Sequence, residues 1–346
     1  ASFALLVYVS AWIKCHYPDV FICALLNAQP LGFYAPAQLI AEAKRNGVTI
    51  LPVDVNHSDW DSQLTKLADH PADHNAGVKN NKQTRHALRL GLRLVKGLAR
   101  GEGERIAASR DSAFAAMDEV MQRADVSARA IQAIAAADGF TSLGLARRQA
   151  LWQARRLGRQ SHHELPLFAA TQLQDDRPQQ ATTTIGREPQ VTLPVASLGH
   201  EVVEDYRSLG LSLKAHPLDM LATSLAAAGW QLCHVIAKHR DGQRLRLAGL
   251  VTMRQRPGTA GGTVFLTIED GQGQANVIIW PKLTVTYREA LLRSQIIGLV
   301  GRVQKAQSVT HFIAESLFNL NGFLHHLDDD AIKTAGSVRM KSRDFR

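Results

Sequence analysis

The sequence predicts an α+β multidomain chain, helical in its earlier part and closing toward its end in a small β-barrel. Apolar residues recur at helical spacing up to about residue 230, then alternate with a period of two from Leu245 onward. Between these patterns, Ala169 to Pro194 is rich in Gln, Thr, Asp and Pro and reads as a linker. The stretch Leu88 to Arg110 is the one around which the helical part is organised. An apolar run leads into a Gly-rich turn (Gly97, Gly101, Gly103) and then a helix-like run from Glu104 to Arg110.

The 346 residues suit about two domains plus linkers, and 45% hydrophobic residues suffice for real cores. A formal net charge of +9 favours polyanionic partners, nucleic acid before an anionic membrane. Cys15, Cys23 and Cys233 have no metal-ligand spacing and read as buried thiols of a reducing compartment. Ala1 to Ile13 is apolar, but too short to span a bilayer and without a basic leader, so no membrane role is expected. Lacking an initial Met, the chain reads as cut from something longer and as beginning inside a buried helix.

Residues 2–29 read as two packed helices broken near Pro18, and Ala35 to Asn46 as a third, with Pro36 in its first turn and Asn46-Gly47 as its stop. Val48 to Val53 is strand-like, and Asp54 to Asp61 is polar and turn-rich. Residues 1–78 hold four Lys/Arg against seven Asp/Glu, whereas residues 79–110 hold nine against two, so the positive charge lies downstream. In that basic stretch, glycines permit close approach and a helix N-terminus offers unpaired amides that suit a phosphate. The same residues also fit a solvated basic loop. His70 and His74, four apart beside Asp69 and Asp73, have metal-like spacing, but Pro71 argues for a surface loop.

The first stretch, through NAQPLGFY and PVDVNHSDW, resembles the end of the fingers domain of bacterial C-family DNA polymerases. It is closer to the damage-inducible, error-prone branch than to the replicative polymerase III alpha subunit. The resemblance continues through LRLGLRLVKGL, GLSLKAHPLDML and the terminal KSRDFR. It implies a fingers tail over 1–78, a tandem helix–hairpin–helix DNA-binding region over 79–165, and a linker with connector helices over 166–230. It further implies an OB-fold over 231–320 and a tail over 321–346.

In the first hairpin the family usually carries Gly-hydrophobic-Gly. Here Gly97-Leu98-Ala99 departs at the third position, with Gly101 nearby. Lys96, Gly97, Ala99, Arg100 and Gly101 are the DNA-binding candidates there. Ser112 to Ala137 has helical spacing, with Met117 and Met121 as core filler. Asp138-Gly139-Phe140 and Leu143-Gly144 mark a second hairpin, followed by a helix from about Ala146 that carries Arg147, Arg148, Arg155 and Arg156 and no acid through Arg159. That helix is either the second half of the tandem motif or a solvated basic face. ELPLF at 164–168 resembles the family's sliding-clamp peptide. Leu165, Leu167 and Phe168 match, while Glu164 replaces Gln and cannot donate a hydrogen bond. A linker segment packed on its own domain is the other reading.

Val202 to Leu213 reads as helical, and His216-Pro217 as a turn before an Ala-rich helix. Strands are expected at 244–253, 263–269, 274–280, 296–303 and 311–320, with a helix at 281–293 and a hairpin turn at Asp270 to Gly273. Five short strands with that helix are the pattern of an OB-fold. Single-strand binding needs positive charge and stacking rings. Arg246, Arg254 and Arg302, with Phe265 and Trp280, are the main candidates, and Arg256, Lys305 and Phe312 follow.

Taken whole, the resemblance implies the DNA-holding, C-terminal part of an error-prone DNA polymerase acting in damage-induced translesion synthesis. The chain itself would hold no catalytic residue, metal or cofactor, with Mg²⁺ expected at a palm upstream of residue 1. The implied partners are duplex and single-stranded template DNA, a sliding clamp and an accessory protein related to Y-family polymerases, in a bacterial cytoplasm. A non-enzymatic DNA-binding adaptor sharing the same modules is the alternative.

Overall fold

The computed structural model describes residues 2–32, 34–66, 86–160, 193–306, 309–327 and 343–345. They form two compact units, one of residues 1–29 with 39–196 and the other of 30–38 with 197–346.

In the first unit, α1 (Ser2–His16) and α2 (Pro18–Asn27) part at Tyr17, where Pro18 opens α2 without sacrificing a needed donor. α2 turns Ile22, Cys23 and Leu26 inward. α1 leaves Phe3, Leu6, Tyr8 and Trp12 exposed, unlike the buried helix expected there, and Cys15 is exposed rather than buried. α3 (Pro36–Arg45) buries Leu39, Ile40 and Ala43 and stops before Gly47, whose φ of +78° suits glycine.

The strand-like run at 48–53 yields only β1 (Ile50–Leu51). With β2 (Gln63–Lys66) it flanks β3 (His86–Arg89), β1 parallel and β2 antiparallel to it. One sheet therefore crosses the expected boundary at residue 78, and residues 47–66 fold with the hairpin region instead of with a separate fingers tail.

The polar segment after β1 holds this unit together. Asp54 is buried, and its carboxylate accepts from Asn56 N (2.8 Å) and Ser142 N (2.9 Å), with His57 Nδ1 at 2.8 Å. Asn56 is bonded twice to the backbone of Phe114, accepting from its N–H (2.8 Å) and donating to its carbonyl (3.0 Å). Ser58 Oγ accepts from Asp54 N (3.0 Å) and donates to Leu90 O (2.7 Å). Asp59 pairs with Arg110.

The helices α4 (Arg100–Ala108), α5 (Met117–Arg123), α6 (Ala128–Ala136) and α7 (Arg147–Gln160) follow. The helical run expected over 112–137 is broken at Asp125, which takes a φ of +47°. Ser127 then caps α6, its Oγ accepting from Ala130 N at 3.1 Å.

The second unit opens with α8 (Leu198–Ser208), capped by Ser197, and α9 (Pro217–Ala227). His216 caps α9 by accepting from Leu218 N through Nδ1 at 3.2 Å, which requires a neutral ring. Burial pushes its pKa down, in keeping with that role. The short β4 (Gln231–Leu232) lies parallel to β5.

The barrel consists of β5 (Arg244–Gln255), β6 (Val264–Glu269), β7 (Gln274–Ile279), β8 (Ile296–Ala306) and β9 (Val309–Asn319). Neighbours run β5–β6–β7–β9–β8 and back to β5, so the sheet closes; only the β7–β9 pair is parallel. α10 (Pro281–Thr286) and α11 (Arg288–Arg293), divided at Tyr287, stand where a single helix was expected. This is the OB arrangement, with Leu247, Leu266, Ile268, Val277, Leu299 and Phe312 filling the interior.

A second core lies outside the barrel. There Val203, Leu218, Leu221 and Leu225 pack with Trp230, Ala248, Leu250, Ile296 and Leu320, so the connector helices belong to the barrel's unit. β10 (Arg343–Phe345) adds a parallel strand beside Met253–Gln255 of β5. Among the described residues no helix is long and apolar enough to cross a membrane.

Asp54 offers a test of the first unit. Burial alone would raise its pKa, but bonds from His57, Ser142 and Asn56 outweigh burial and hold it below the ordinary aspartate value. A depressed folded pKa contributes stability that is complete at neutral pH and lost as pH falls through it. Asp54→Asn should therefore cost about 1–3 kcal/mol at neutral pH. The gap to wild type, measured by urea unfolding, should narrow in acid below the ordinary carboxylate range.

Candidate nucleic-acid interface

The first hairpin is tighter than its glycine content suggested. A 3₁₀ turn at Leu92–Leu94 runs into Val95, and α4 begins already at Arg100. The turn is thus residues 95–99, while Gly101 and Gly103 lie inside the helix rather than in a Gly-rich loop. Gly103 is required for packing, since a Cβ there would come within 2.5 Å of Trp60 Cε3. Gly97 is required for conformation: its φ is +88°, yet a Cβ would meet nothing within 4 Å. Ala99 has a φ of −78° and a ψ of 145°, so alanine at that position carries no strain.

Leu98 is buried and pins the turn, leaving Lys96, Gly97, Ala99 and Arg100 exposed around it. Among the described residues no acceptor meets the amides of Arg100 and Gly101 that open α4, and the N-cap residue Ala99 has no side-chain cap to offer. Arg100 pairs with Glu104 at 2.7 Å, both well exposed. Such a pair contributes little, and a phosphate can displace it.

The second hairpin runs from α6 through Asp138 (φ +60°), Gly139 and Gly144 (φ +71°) to α7. Two bonds anchor it to the 54–58 segment: Ser142 N donates to the Asp54 carboxylate at 2.9 Å, and Val55 N donates to Gly139 O at 2.8 Å. Arg147 does not face solvent. It is 2% exposed and sits by Asp138 at 3.8 Å, which corrects its expected place as a DNA contact; its guanidinium ties α7 to the turn instead. Arg148 is half-buried and donates to Pro194 O at 3.2 Å.

On the barrel, outward side chains form rows across paired strands. Phe265 faces Ile278, and Ile278 faces Ile313. Thr267 faces Asn276, and Asn276 faces His311. Phe265 is 38% exposed and Trp280, just past β7, is 52% exposed; Arg256, in the loop entering β6, is also exposed. This is the strand face on which OB-folds hold oligonucleotides. Ile278, Ile313 and Asn276 were missed in the sequence, although alternation with buried Val277 and Phe312 marks them as outward.

Other candidates stand elsewhere. Arg254 is buried, donating from Nε to Leu291 O at 2.6 Å and from Nη2 to Ser294 O, so it closes the end of α11 and is no DNA contact. Phe312 is fully buried in the barrel core, not a platform. Arg246 stacks over Trp230 with its guanidinium carbon 4.4 Å from the ring centre. Arg302 pairs with Glu315 at 3.0 Å, a carboxylate it shares with Arg244. Lys305 Nζ donates to Ala237 O at 3.0 Å.

The clamp-peptide residues Leu165, Leu167 and Phe168, and the pair His70 and His74, lie outside the described residues. Among the described residues no group of three or more His, Cys, Asp or Glu is placed to hold a metal ion.

Two glycine-dependent hairpins, the first opening a helix at an exposed turn, together with a closed OB barrel, define a nucleic-acid-binding chain. A family model for the helix-hairpin-helix motif matches residues 47–150, and one for an OB-fold nucleic acid binding domain matches residues 245–320. Over nearly its whole length the chain is a homologue of proteins named error-prone DNA polymerase. It is 42% identical to that of Brucella abortus biovar 1 (strain 9-941) over 92% of this chain and 27% of the relative. With error-prone DNA polymerase 1 of Rhizobium meliloti (strain 1021) it shares 42% identity over 96% of this chain and 29% of the relative. For the protein of Sinorhizobium medicae (strain WSM419) the figures are 40%, 99% and 32%. The chain thus spans less than a third of the length of the relatives it matches.

The two hairpin glycines predict different costs. Gly97→Ala should lower stability by about 1 kcal/mol through backbone strain alone. Gly103→Ala should cost more, because Trp60 must move. Urea midpoints of the two variants, compared with wild type, check the order.

Proposed function

We propose that this chain is the DNA-holding part of an error-prone DNA-directed DNA polymerase that acts in translesion synthesis. The reading is carried by the likeness to error-prone polymerases over at least 92% of the chain, alongside two modules that suit complementary forms of DNA. Template-directed nucleotide addition needs carboxylates that hold two metal ions. In this reading the relatives' remaining length supplies them, along with Mg²⁺. The hairpins present amides and charge, which grip phosphates without reading sequence. The OB face presents Phe265 and Trp280 as rings for unpaired bases, with Arg256 at the edge for phosphate. The segment ELPLF at 164–168 is proposed as a clamp ligand on its apolar residues alone.

Three measurements test this reading on the 346-residue chain. With Mg²⁺ and all four nucleotides it should not extend a primer; robust extension would overturn the division of labour. Lys96→Glu with Arg100→Glu should weaken duplex binding roughly tenfold and flatten its salt dependence, while leaving oligo-dT binding nearly unchanged. Phe265→Ala or Trp280→Ala should do the reverse, by about 1–3 kcal/mol per stacked base lost. Equal losses on both substrates would show that the charge acts only as diffuse attraction. For the clamp, Leu167→Ala with Phe168→Ala should abolish binding and Glu164→Gln should strengthen it, as read by a pull-down with a purified bacterial sliding clamp.

A further inference from the structure

Helix α7 carries a surface that the hairpin reading leaves unused. Its buried side is small, with Ala150 and Ala154 packed inward. Its opposite side places Trp152 on one face with Arg148 four residues before it and Arg155 and Arg156 three and four residues after it. Trp152 is 52% exposed, and Arg155 and Arg156 are exposed. No carboxylate lies in the helix, and among the described residues none pairs with Arg148, Arg155 or Arg156.

This arrangement differs from a solvated helix face, on which charges of both signs alternate and large rings turn inward. An indole left in water beside the exposed guanidiniums of Arg155 and Arg156, with half-buried Arg148 on the turn before it, offers a flat π-surface among phosphate-seeking groups. That is the chemistry that holds an unpaired nucleotide, with the base stacked on the ring and the phosphates on the arginines. The position supports this. Trp152 lies five residues past Arg147, the first residue of α7, about 7.5 Å along the axis at 1.5 Å per residue. A strand that runs along α7 from the second hairpin therefore brings a nucleotide within reach of the ring.

We propose that Trp152, with Arg148, Arg155 and Arg156, is a stacking site for an unpaired nucleotide next to duplex. The helix–hairpin–helix unit then recognises a duplex–single-strand junction rather than duplex alone. The proposal rests on the reading that this unit holds DNA.

The test compares a blunt duplex with the same duplex bearing a five-nucleotide thymidine overhang at either end, using the full chain. Every arm carries Phe265→Ala and Trp280→Ala, so that the OB face adds no preference of its own for the overhang. With Trp152 intact, the chain should bind one of the overhang substrates more tightly than blunt duplex. Trp152→Ala should erase that preference, a loss of roughly tenfold, while blunt-duplex affinity stays within about twofold. Trp152→Phe should restore most of it, since a ring is kept. Circular dichroism and urea midpoints confirm that each variant is folded. Equal weakening on blunt and overhang DNA, or no change on either, overturns the stacking site; in the second case the patch suits an acidic protein surface. Failure of the broader reading looks different: wild type would bind no duplex, or Lys96→Glu with Arg100→Glu would leave duplex binding intact.

Discussion

A single buried carboxylate, that of Asp54, sets the geometry on which the first unit depends. It receives the Ser142 amide of the second hairpin and the Asn56 amide of its own segment. The residues that follow reach the first hairpin: Ser58 bonds to Leu90, while Leu92 N and Arg93 N donate to Asp59 O (2.8 Å) and Trp60 O (3.0 Å). Trp60 then lies on Gly103 of α4. One short polar segment thereby positions both turns. A charge out of water is tolerable only when its lone pairs are satisfied, so these bonds are conditional on one another.

The second unit repeats the device at its hairpin. Asp270 accepts from Gln272 N and Gly273 N, both at 2.8 Å, and from His234 N at 2.7 Å. Burial would raise its pKa, but these bonds prevail and hold it low. Burial, and then the same carboxylate, push the Cys233 thiol far up, so that cysteine is a packed core residue and no nucleophile. Fixing the β6–β7 turn fixes the register that brings Phe265 opposite Ile278. In both units, buried acids hold turns so that uncharged amides and rings can face outward.

Much of this was legible in the sequence because it rests on periodicity. The switch from helical to alternating spacing gave the barrel's strands to within a few residues, and the glycine-marked turns gave both hairpins. The surface roles of single residues were less legible. Arg147, Arg254 and Phe312 carry the right chemistry for DNA yet are buried, because a guanidinium can close a helix end or brace a turn as readily as bind phosphate. Trp152 passed unremarked because its arginine-rich helix looked merely basic.

The sequence by itself determined the order of modules, the family resemblance and the sign of the charge, all of which are properties of local pattern and composition. Only the tertiary structure decided that residues 47–66 fold with the hairpins, since β1 and β2 pair with a strand beyond a long intervening segment. It alone decided which arginines face water and which rings lie on the barrel's outer rows. Those outcomes depend on strand register and on buried bonds such as that of Asp54 to Ser142, 88 residues apart, which no local window of sequence contains.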